Sequence, residues 1–231
     1  MRAKQSVIFF PVLILLITTV SLTAQIQPAM LNQPMKNFTL PTLDGKTISL
    51  SDYKGKNVFV VFPRVFAAEG RWCSICNYQY AELMALGKKA KEKYNLEILY
   101  VISFSEKTIH NWIDALPDQM VAIEQMKTPK DNSEQSKRRA EFANSFFVNK
   151  YEFTKGEVPT PFPILIDSAR TVSKSLGIFT TEWNGSKVEQ DIPSVYLLDK
   201  NGILKFKYVS QTTADRPKND YLLQIFDLFL K

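Results

Sequence analysis

The chain has 231 residues and only two cysteines, Cys73 and Cys76, in the segment GRWCSICNYQY. Thiols at this spacing can exchange disulfides, provide half of a zinc site, or close a structural disulfide. A structural disulfide is disfavoured, because a cross-link stabilises a fold most when it closes a long loop and this one would close almost none. A zinc site usually needs four ligands, and the chain has one histidine, His110. The pattern therefore favours a redox pair without a metal.

Apolar residues follow the cysteines at helical spacing. They are Cys76, Tyr80, Leu83, Gly87, Ala90 and Tyr94, and they predict a helix that begins near Cys73 and buries Cys76. The start of a helix favours an anion, so we expect Cys73 to be exposed, with a lowered pKa, and to act as the nucleophile. Cys76 would be shielded and would resolve a mixed disulfide on Cys73. Arg71 could assist by its charge, and Glu69 could relay protons.

The N-terminal segment predicts the compartment of the protein, and the compartment decides whether two cysteines normally form a disulfide. Met1-Arg2-Ala3-Lys4 precedes an almost wholly apolar run at residues 7–22, which predicts a signal peptide over residues 1–24 and a linker over residues 25–35. The alternative is an uncleaved membrane anchor. Both interpretations place the remainder in the periplasm or another extracytoplasmic space, where cysteines normally form disulfides.

Composition narrows the function classes further. The chain carries 29 Lys and Arg against 23 Asp and Glu, a net charge of +6, without a dense basic face. Nucleic acid is therefore an unfavoured partner. The length beyond the predicted linker suits one domain with a full core, residues 36–231.

Apolar runs alternate between strand and helix lengths along this domain. We expect a hairpin around Asp44-Gly45, buried strands at residues 57–62, 96–104 and 162–167, a second hairpin around Lys200–Gly202, and a C-terminal helix. This order predicts an α/β sandwich with a central mixed sheet. A helical insertion at about residues 118–160 is either a solvated excursion or a flap that binds a partner or substrate.

Three stretches carry a resemblance to the thioredoxin-fold superfamily. They are NFTLPTLDGKTISLSDYKGKNVFVVFP, WCSIC and DIPSVYLLDKNGILKFKYV. The chain resembles the branch that holds the alkyl hydroperoxide reductase/thiol-specific antioxidant (peroxiredoxin-like) proteins and the TlpA-like thiol–disulfide oxidoreductases. The resemblance covers nearly all of residues 36–231 except the insertion. It implies a thioredoxin-like sandwich with an N-terminal β-hairpin extension.

The resemblance also implies a substrate groove. Pro193 would be cis and lie against the cysteines, the backbone of Ile192 would be free to pair with an extended substrate, and Trp72 would cover the thiols. The sequence departs from the peroxiredoxin pattern Pro-x-x-x-Thr/Ser-x-x-Cys, because Gly70 lies three residues before Cys73 and Phe66 lies seven before it. Arg216 could take the place of a second activating arginine.

These observations predict an enzyme, an exported thiol–disulfide oxidoreductase whose only redox group is the Cys73–Cys76 dithiol/disulfide. Its partners would be protein thiols and disulfides and a membrane or soluble thiol reductant. One alternative is a peroxiredoxin-like peroxidase, in which Cys73 attacks peroxide and Cys76 resolves. Another is a non-catalytic binding module with an inert disulfide.

Overall fold

Strands and helices alternate in the computed structural model, which describes residues 28–230. The predicted signal peptide and residues 25–27 lie outside the described residues. The elements are β1 Thr39–Pro41, β2 Thr47–Ser49, a short 3₁₀ turn Leu50–Tyr53, β3 Asn57–Phe62, β4 Phe66–Ala68, β5 Arg71–Trp72, α1 Ser74–Tyr94, β6 Leu96–Ile102, α2 Glu106–Met126, α3 Glu134–Phe146, β7 Ile164–Ile166, α4 Thr171–Ser175, β8 Phe179–Thr180, β9 Gln190–Asp191, β10 Ser194–Leu198, β11 Leu204–Val209 and α5 Asn219–Phe229.

The central sheet has five strands in the order β11-β10-β3-β6-β7. Strands β3, β6 and β7 are parallel, and β10 runs antiparallel to both β3 and β11. Val60 at the centre of β3 lies opposite Leu99 on one side and Tyr196 on the other. The three parallel strands are continuous apolar runs because both faces of the sheet are covered. The predicted mixed sheet is confirmed.

Two apolar layers cover the sheet. Helices α1, α2 and α5 pack on one face, where Tyr80, Trp112 and Phe226 are fully buried. The hairpin β1–β2 and the short helix α4 cover the other face through Leu40 and Val172. This places the start of α1 at the end of β3, which is the edge of the sheet where the parallel strands finish.

Helix α1 buries the predicted stripe, with one informative exception. Five of its six members are buried, whereas Gly87 is half-buried. A Cβ at Gly87 would lie 3.2 Å from Ile98 Cδ1, so the glycine allows the helix to approach β6 closely. The helix ends at Asn95, which takes the left-handed conformation (φ 50°) that commonly terminates helices.

The predicted insertion contains the end of α2 and the whole of α3. Helix α2 continues to Met126, and α3 lies wholly within the predicted helical insertion. Helix α3 buries only Ala140 and Ala143, and Asn144 Nδ2 donates to the carbonyl of Lys127 at 2.8 Å, which ties α3 to the end of α2. No helix within residues 28–230 combines the length and the apolar character that a membrane span requires.

Both edges of the central sheet are partly covered by chain from elsewhere. At β11, the N–H of Asn32 donates to the carbonyl of Leu204 at 2.8 Å, and the N–H of Leu204 donates to the carbonyl of Gln33 at 2.9 Å. At β7, the N–H of Leu43 donates to the carbonyl of Ile164 at 2.9 Å. The described part of the predicted linker, residues 28–35, therefore lies along one edge of the sheet.

Candidate active site

The two thiols lie at the start of α1. Cys73 is the N-cap residue, and its Sγ accepts from the N–H of Cys76 at 3.4 Å. The two Sγ atoms are 2.8 Å apart. Such a pair can pass one proton between its sulfur atoms and can close a disulfide with little movement of the backbone. Within the described part of the chain, no group of three or more His, Cys, Asp or Glu residues is placed to hold a metal ion.

The expected exposure of Cys73 is wrong. Cys73 is 4% exposed and Cys76 is fully buried. Cys73 lines a cavity of about 760 Å³, whereas Cys76 does not. The hairpin β4–β5 and the turn at residues 184–188 both line that cavity. The sequence patterns predicted neither of these elements. A substrate therefore reaches Cys73 through the cavity and cannot contact Cys76 directly.

The two thiols share one proton through the contact between their sulfur atoms, so the lowered pKa belongs to the pair. Burial opposes ionisation of Cys76, but the hydrogen bond between the sulfur atoms and the charge of Arg216 outweigh it. The backbone amides of Arg64 and Val65 act in the same direction, so the pKa of Cys76 falls to about 6. The hydrogen bond with Cys76, followed by burial, raises the pKa of Cys73. The pair therefore loses one proton readily and retains the other between the two sulfurs.

The segment that follows β3 brings backbone N–H groups close to the sulfur of Cys76. Val65 has φ 65°, the left-handed region that a β-branched residue adopts only under strain. Its carbonyl accepts from the N–H of Cys73 at 2.8 Å. This bond ties the start of α1 to the turn, and the amides of Arg64 and Val65 in the same turn lie close to the sulfur of Cys76.

Two buried arginines lie beside the thiols. Arg64 is 4% exposed and Arg216 is 9% exposed. Their guanidinium carbons lie 5.5 Å and 6.0 Å from the ring of Trp183. Arg216 donates to Ser210 Oγ at 2.8 Å, while its Nε and Nη2 have no partner among the described residues.

Arg216 is therefore placed at the site that the sequence proposed for it. Sequence reasoning missed Arg64 and Trp183. The available indication for Arg64 was an arginine directly after Pro63, at the end of a buried strand.

The other candidates near the thiols lie on the hairpin β4–β5. Trp72 stacks on Phe66, with ring centroids 4.5 Å apart and an interplanar angle of 19°. Trp72, Arg71 and Glu69 all line the cavity with Cys73. The hairpin β4–β5 thus forms a wall of the site.

The groove implied for Ile192 and Pro193 is not formed as expected. No peptide bond among residues 28–230 is cis, so Pro193 is trans. The N–H of Ile192 donates to the carbonyl of Ile178 at 2.7 Å, and Ser194 Oγ donates to the carbonyl of Ile192 at 2.7 Å. These bonds hold an extended chain, for which a trans bond suffices, and they occupy the backbone that was expected to bind substrate. Neither residue is among those that line the Cys73 cavity.

The buried carboxyl group of Asp191 lies at the same edge of the sheet as the thiols. Asp191 is 1% exposed, accepts from Ser103 Oγ at 2.5 Å, and has an Oδ1 without a partner among the described residues. Burial, with the charge of Asp167 in addition, raises the pKa of Asp191 to about 7, although Ser103 and the charge of Arg170 act in the opposite direction. No pattern in the sequence indicated this carboxyl group, because its neighbours come from distant segments.

We expect Asp191→Asn to reduce the pH dependence of stability. The folded pKa exceeds the unfolded value of 3.8, so the stabilisation is fully present below about pH 4 and is lost as pH rises through about 7. Urea unfolding of the oxidised protein from pH 4 to 8 should show a fall of about 2–4 kcal/mol that is smaller in Asp191→Asn. The pH dependence of Asp191→Asn is compared with that of Glu82→Gln, which removes another carboxyl group whose pKa is raised by burial to about 7. Parallel curves for wild type and Asp191→Asn would contradict the expectation.

The sheet order and the thiol pair at the start of α1 define a thioredoxin-like protein. A structure of the reduced 2-Cys peroxiredoxin of Plasmodium vivax matches with a TM-score of 0.51 and 19% identity, over 86% of this chain and 95% of that one. A structure from Chlorobium tepidum, assigned as thiol:disulfide interchange protein DsbE, matches with a TM-score of 0.51 and 18% identity, over 88% and 99%. These likenesses support the fold.

The sequence comparisons identify the family. The AhpC/TSA family model matches residues 31–207, and the chain belongs to that family. The thiol-disulfide oxidoreductase ResA of Bacillus thuringiensis subsp. konkukian is 24% identical over 192 residues, which are 82% of this chain and 75% of the relative. ResA of Bacillus anthracis is 24% identical over 180 residues, 78% and 70% of the two chains. The chain is thus an oxidoreductase enzyme with thiol–disulfide oxidoreductases among its relatives.

Proposed function

We propose that this protein is an exported thiol–disulfide oxidoreductase that exchanges the Cys73–Cys76 pair with protein thiols and disulfides. The observation that carries the proposal is the pair itself: two sulfurs 2.8 Å apart at the start of a helix, one of them facing a cavity. The named relatives that are thiol-disulfide oxidoreductases support the same activity. No metal or organic cofactor is required.

The reducing direction begins when Cys73 attacks a substrate disulfide. The shared proton moves to Cys76, which leaves Cys73 as the thiolate, and the attack forms a mixed disulfide while the other substrate sulfur leaves and is protonated. Cys76 then gives up its proton and attacks the Cys73 sulfur. The second substrate sulfur leaves, two electrons have passed to the substrate, and the pair is a disulfide. A membrane or soluble thiol reductant would restore the dithiol, and the reverse sequence would oxidise clients.

The side chains around the cavity have separate roles in this proposal. Arg216 stabilises the negative charge of the pair. Trp72 forms a wall against which a substrate chain lies, and Arg71 and Glu69 contact that chain at the mouth of the cavity. The apolar N-terminal segment supports export, with the domain released from the segment or anchored by it.

Peroxide reduction is the second candidate, because unpaired nitrogens of Arg64 and Arg216 lie near the thiols. Cys73 would attack one peroxide oxygen, leaving water or an alcohol and a sulfenic acid. Cys76 would then condense with the sulfenic acid and release water. The hydroxyl expected three residues before Cys73 is missing, since Gly70 is there, and for this reason we place disulfide exchange first.

A redox titration separates these functions. The purified chain without residues 1–24 is equilibrated with dithiol redox buffers, and its reduced form is then mixed with hydrogen peroxide. A reversible two-electron couple with slow peroxide consumption is expected. Fast peroxide turnover that Cys73→Ser abolishes would favour the peroxidase. A pair that reacts in neither test would contradict both enzymatic functions and leave the non-catalytic binding module.

A further inference from the structure

The inserted helices form one side of the cavity that reaches Cys73. Met126 at the end of α2, Phe142 on α3 and Phe147 directly after α3 all line that cavity. A second cavity of about 570 Å³ shares Met126 and Phe142 with it. We call this second cavity the insertion groove; its lining residues are Met126, Gln135, Arg138, Arg139, Phe142 and Ala143. The two cavities thus form a continuous surface from Cys73 onto α3.

The floor of the insertion groove is apolar and accessible. Met126 is 41% exposed and Phe142 is 45% exposed. Phe142 stacks on Phe146, with ring centroids 5.4 Å apart and an interplanar angle of 26°, which holds the Phe142 ring in place. Exposed aromatic residues mark binding surfaces when they are grouped, and methionine adapts to side chains of different shape. The floor therefore suits an apolar side chain of a partner.

The walls of the groove carry two arginines without an ion pair among the described residues, although the charge of Arg139 also interacts with that of Asp131. Neither Arg138 nor Arg139 forms an ion pair with a carboxylate in residues 28–230, and Arg138 Nε reaches only a backbone carbonyl, that of Glu134 at 3.4 Å. By contrast, Lys137 on the same helix pairs with Glu134 at 3.0 Å, and Lys127 pairs with Glu124 at 2.7 Å.

The cavity around Cys73 also carries an excess of positive charge. Arg64, Arg71 and Lys187 line it, and Glu69 is the one carboxylate among its described lining residues. A second copy of this chain, with its net charge of +6, is disfavoured as the occupant. The charge instead complements an acidic partner.

We propose that the insertion groove binds an extended segment of a client protein that carries acidic and apolar residues beside its reactive cysteine. The proposal rests on the proposed thiol–disulfide exchange and names a client class for it. The client sulfur would meet Cys73 in the first cavity, an apolar side chain would lie on Met126 and Phe142, and carboxylates would pair with Arg138 and Arg139. The insertion is then the flap that binds a substrate, one of the two roles considered for residues 118–160.

Synthetic peptides test the proposal. Each peptide carries one cysteine as a mixed disulfide with a small thiol, followed by phenylalanine and either glutamates or lysines. We expect the reduced protein to react with the glutamate peptide faster than with the lysine peptide by about tenfold or more at low ionic strength. Arg138→Glu/Arg139→Glu should remove or reverse this preference, and Phe142→Ser should slow the reaction of the glutamate peptide. Arg138→Glu/Arg139→Glu should react with hydroxyethyl disulfide at the wild-type rate, because neither arginine lines the cavity around Cys73.

The matched control is Lys88→Glu/Lys107→Glu, which makes the same change in net charge at two exposed lysines outside the groove. An equal loss in both double variants would mean that only net charge matters, and would overturn the proposal. So would the absence of a preference in the wild type, or dimerisation that Arg138→Glu/Arg139→Glu abolishes.

The binding step is measured separately from the chemistry. Peptides with serine in place of cysteine are titrated by fluorescence anisotropy, and tighter binding of the glutamate peptide is expected. If hydroxyethyl disulfide fails to react with the wild type, the proposed exchange is wrong, whereas the anisotropy still decides the groove. Equal binding of the two serine peptides would overturn the groove even where exchange proceeds.

Discussion

Cys73→Ser is expected to abolish exchange with protein disulfides, whereas Cys76→Ser is expected to accumulate a stable mixed disulfide. The reason is access, because Cys73 lines the cavity and Cys76 is fully buried. Without Cys73 the remaining sulfur cannot meet a client sulfur, so the exchange rate should fall by about 10³-fold or more. Without Cys76 the first attack still occurs, but no neighbouring thiol releases the client.

The measurement is a reaction with a disulfide-bonded client, followed by non-reducing electrophoresis and mass spectrometry. The trapped species should contain Cys73 of the Cys76→Ser variant joined to one client cysteine. The pKa values make this a demanding test, since Cys76 is the more acidic thiol. Trapping in Cys73→Ser but not in Cys76→Ser would show that acidity, rather than access, decides which sulfur attacks. Unfolding curves for both variants would confirm that each is folded.

Removing the charge of Arg216 is expected to have the second large effect. The pKa of Cys76 is lowered to about 6 in part by this guanidinium. An opposite charge at close range lowers a pKa by about 1–3 units, so Arg216→Met should raise the first pKa of the pair by about that amount. Arg216→Lys retains the charge and should restore part of the shift, although it loses the hydrogen bond to Ser210.

The reduction potential reports this change directly. The wild-type potential should fall by about 59 mV per pH unit while the pair takes up two protons per two electrons, and by about 30 mV per unit above about pH 6, where it takes up one. In Arg216→Met the change of slope should move to higher pH. A rise of one unit in the pKa would make the potential about 30 mV more negative at pH 8, because the reduced form loses the stabilisation of its thiolate. A change of slope that stays near pH 6 in Arg216→Met would exclude the role assigned to Arg216.

The local sequence pattern was sufficient to predict strand β3 and the buried face of helix α1. Strand β3 has the predicted bounds, and the predicted helical face of α1 is buried apart from the half-buried Gly87. These features depend on periodicity and on residues close in sequence. The N-cap position of Cys73 follows from the same information, since a helix that buries Cys76 in its first turn must begin just before it.

The surroundings of the thiols required information that local pattern does not contain. Burial of Cys73 depends on a turn more than a hundred residues away, at residues 184–188. The amides of Arg64 and Val65 contribute to the acidity of Cys76, and nothing in the residue type of Val65 predicts its left-handed conformation. Asp191 meets Ser103 although 88 positions separate them in the sequence. The turn at residues 184–188 and the contact between Asp191 and Ser103 are long-range features, which periodicity and neighbouring residues do not contain.

The cover over both edges of the central sheet has a consequence for the proposed exchange with protein disulfides. An exposed strand edge presents unpaired N–H and C=O groups, on which another chain can add as a further strand and begin aggregation. Clients whose disulfides are still exchanging expose such strands. Here residues 28–35 bond to β11 and the segment after β1 bonds to β7, so neither edge offers its full row of groups. In the proposed exchange, the enzyme would meet incompletely folded chains at its thiols while the partly covered edges restrict the addition of a further strand.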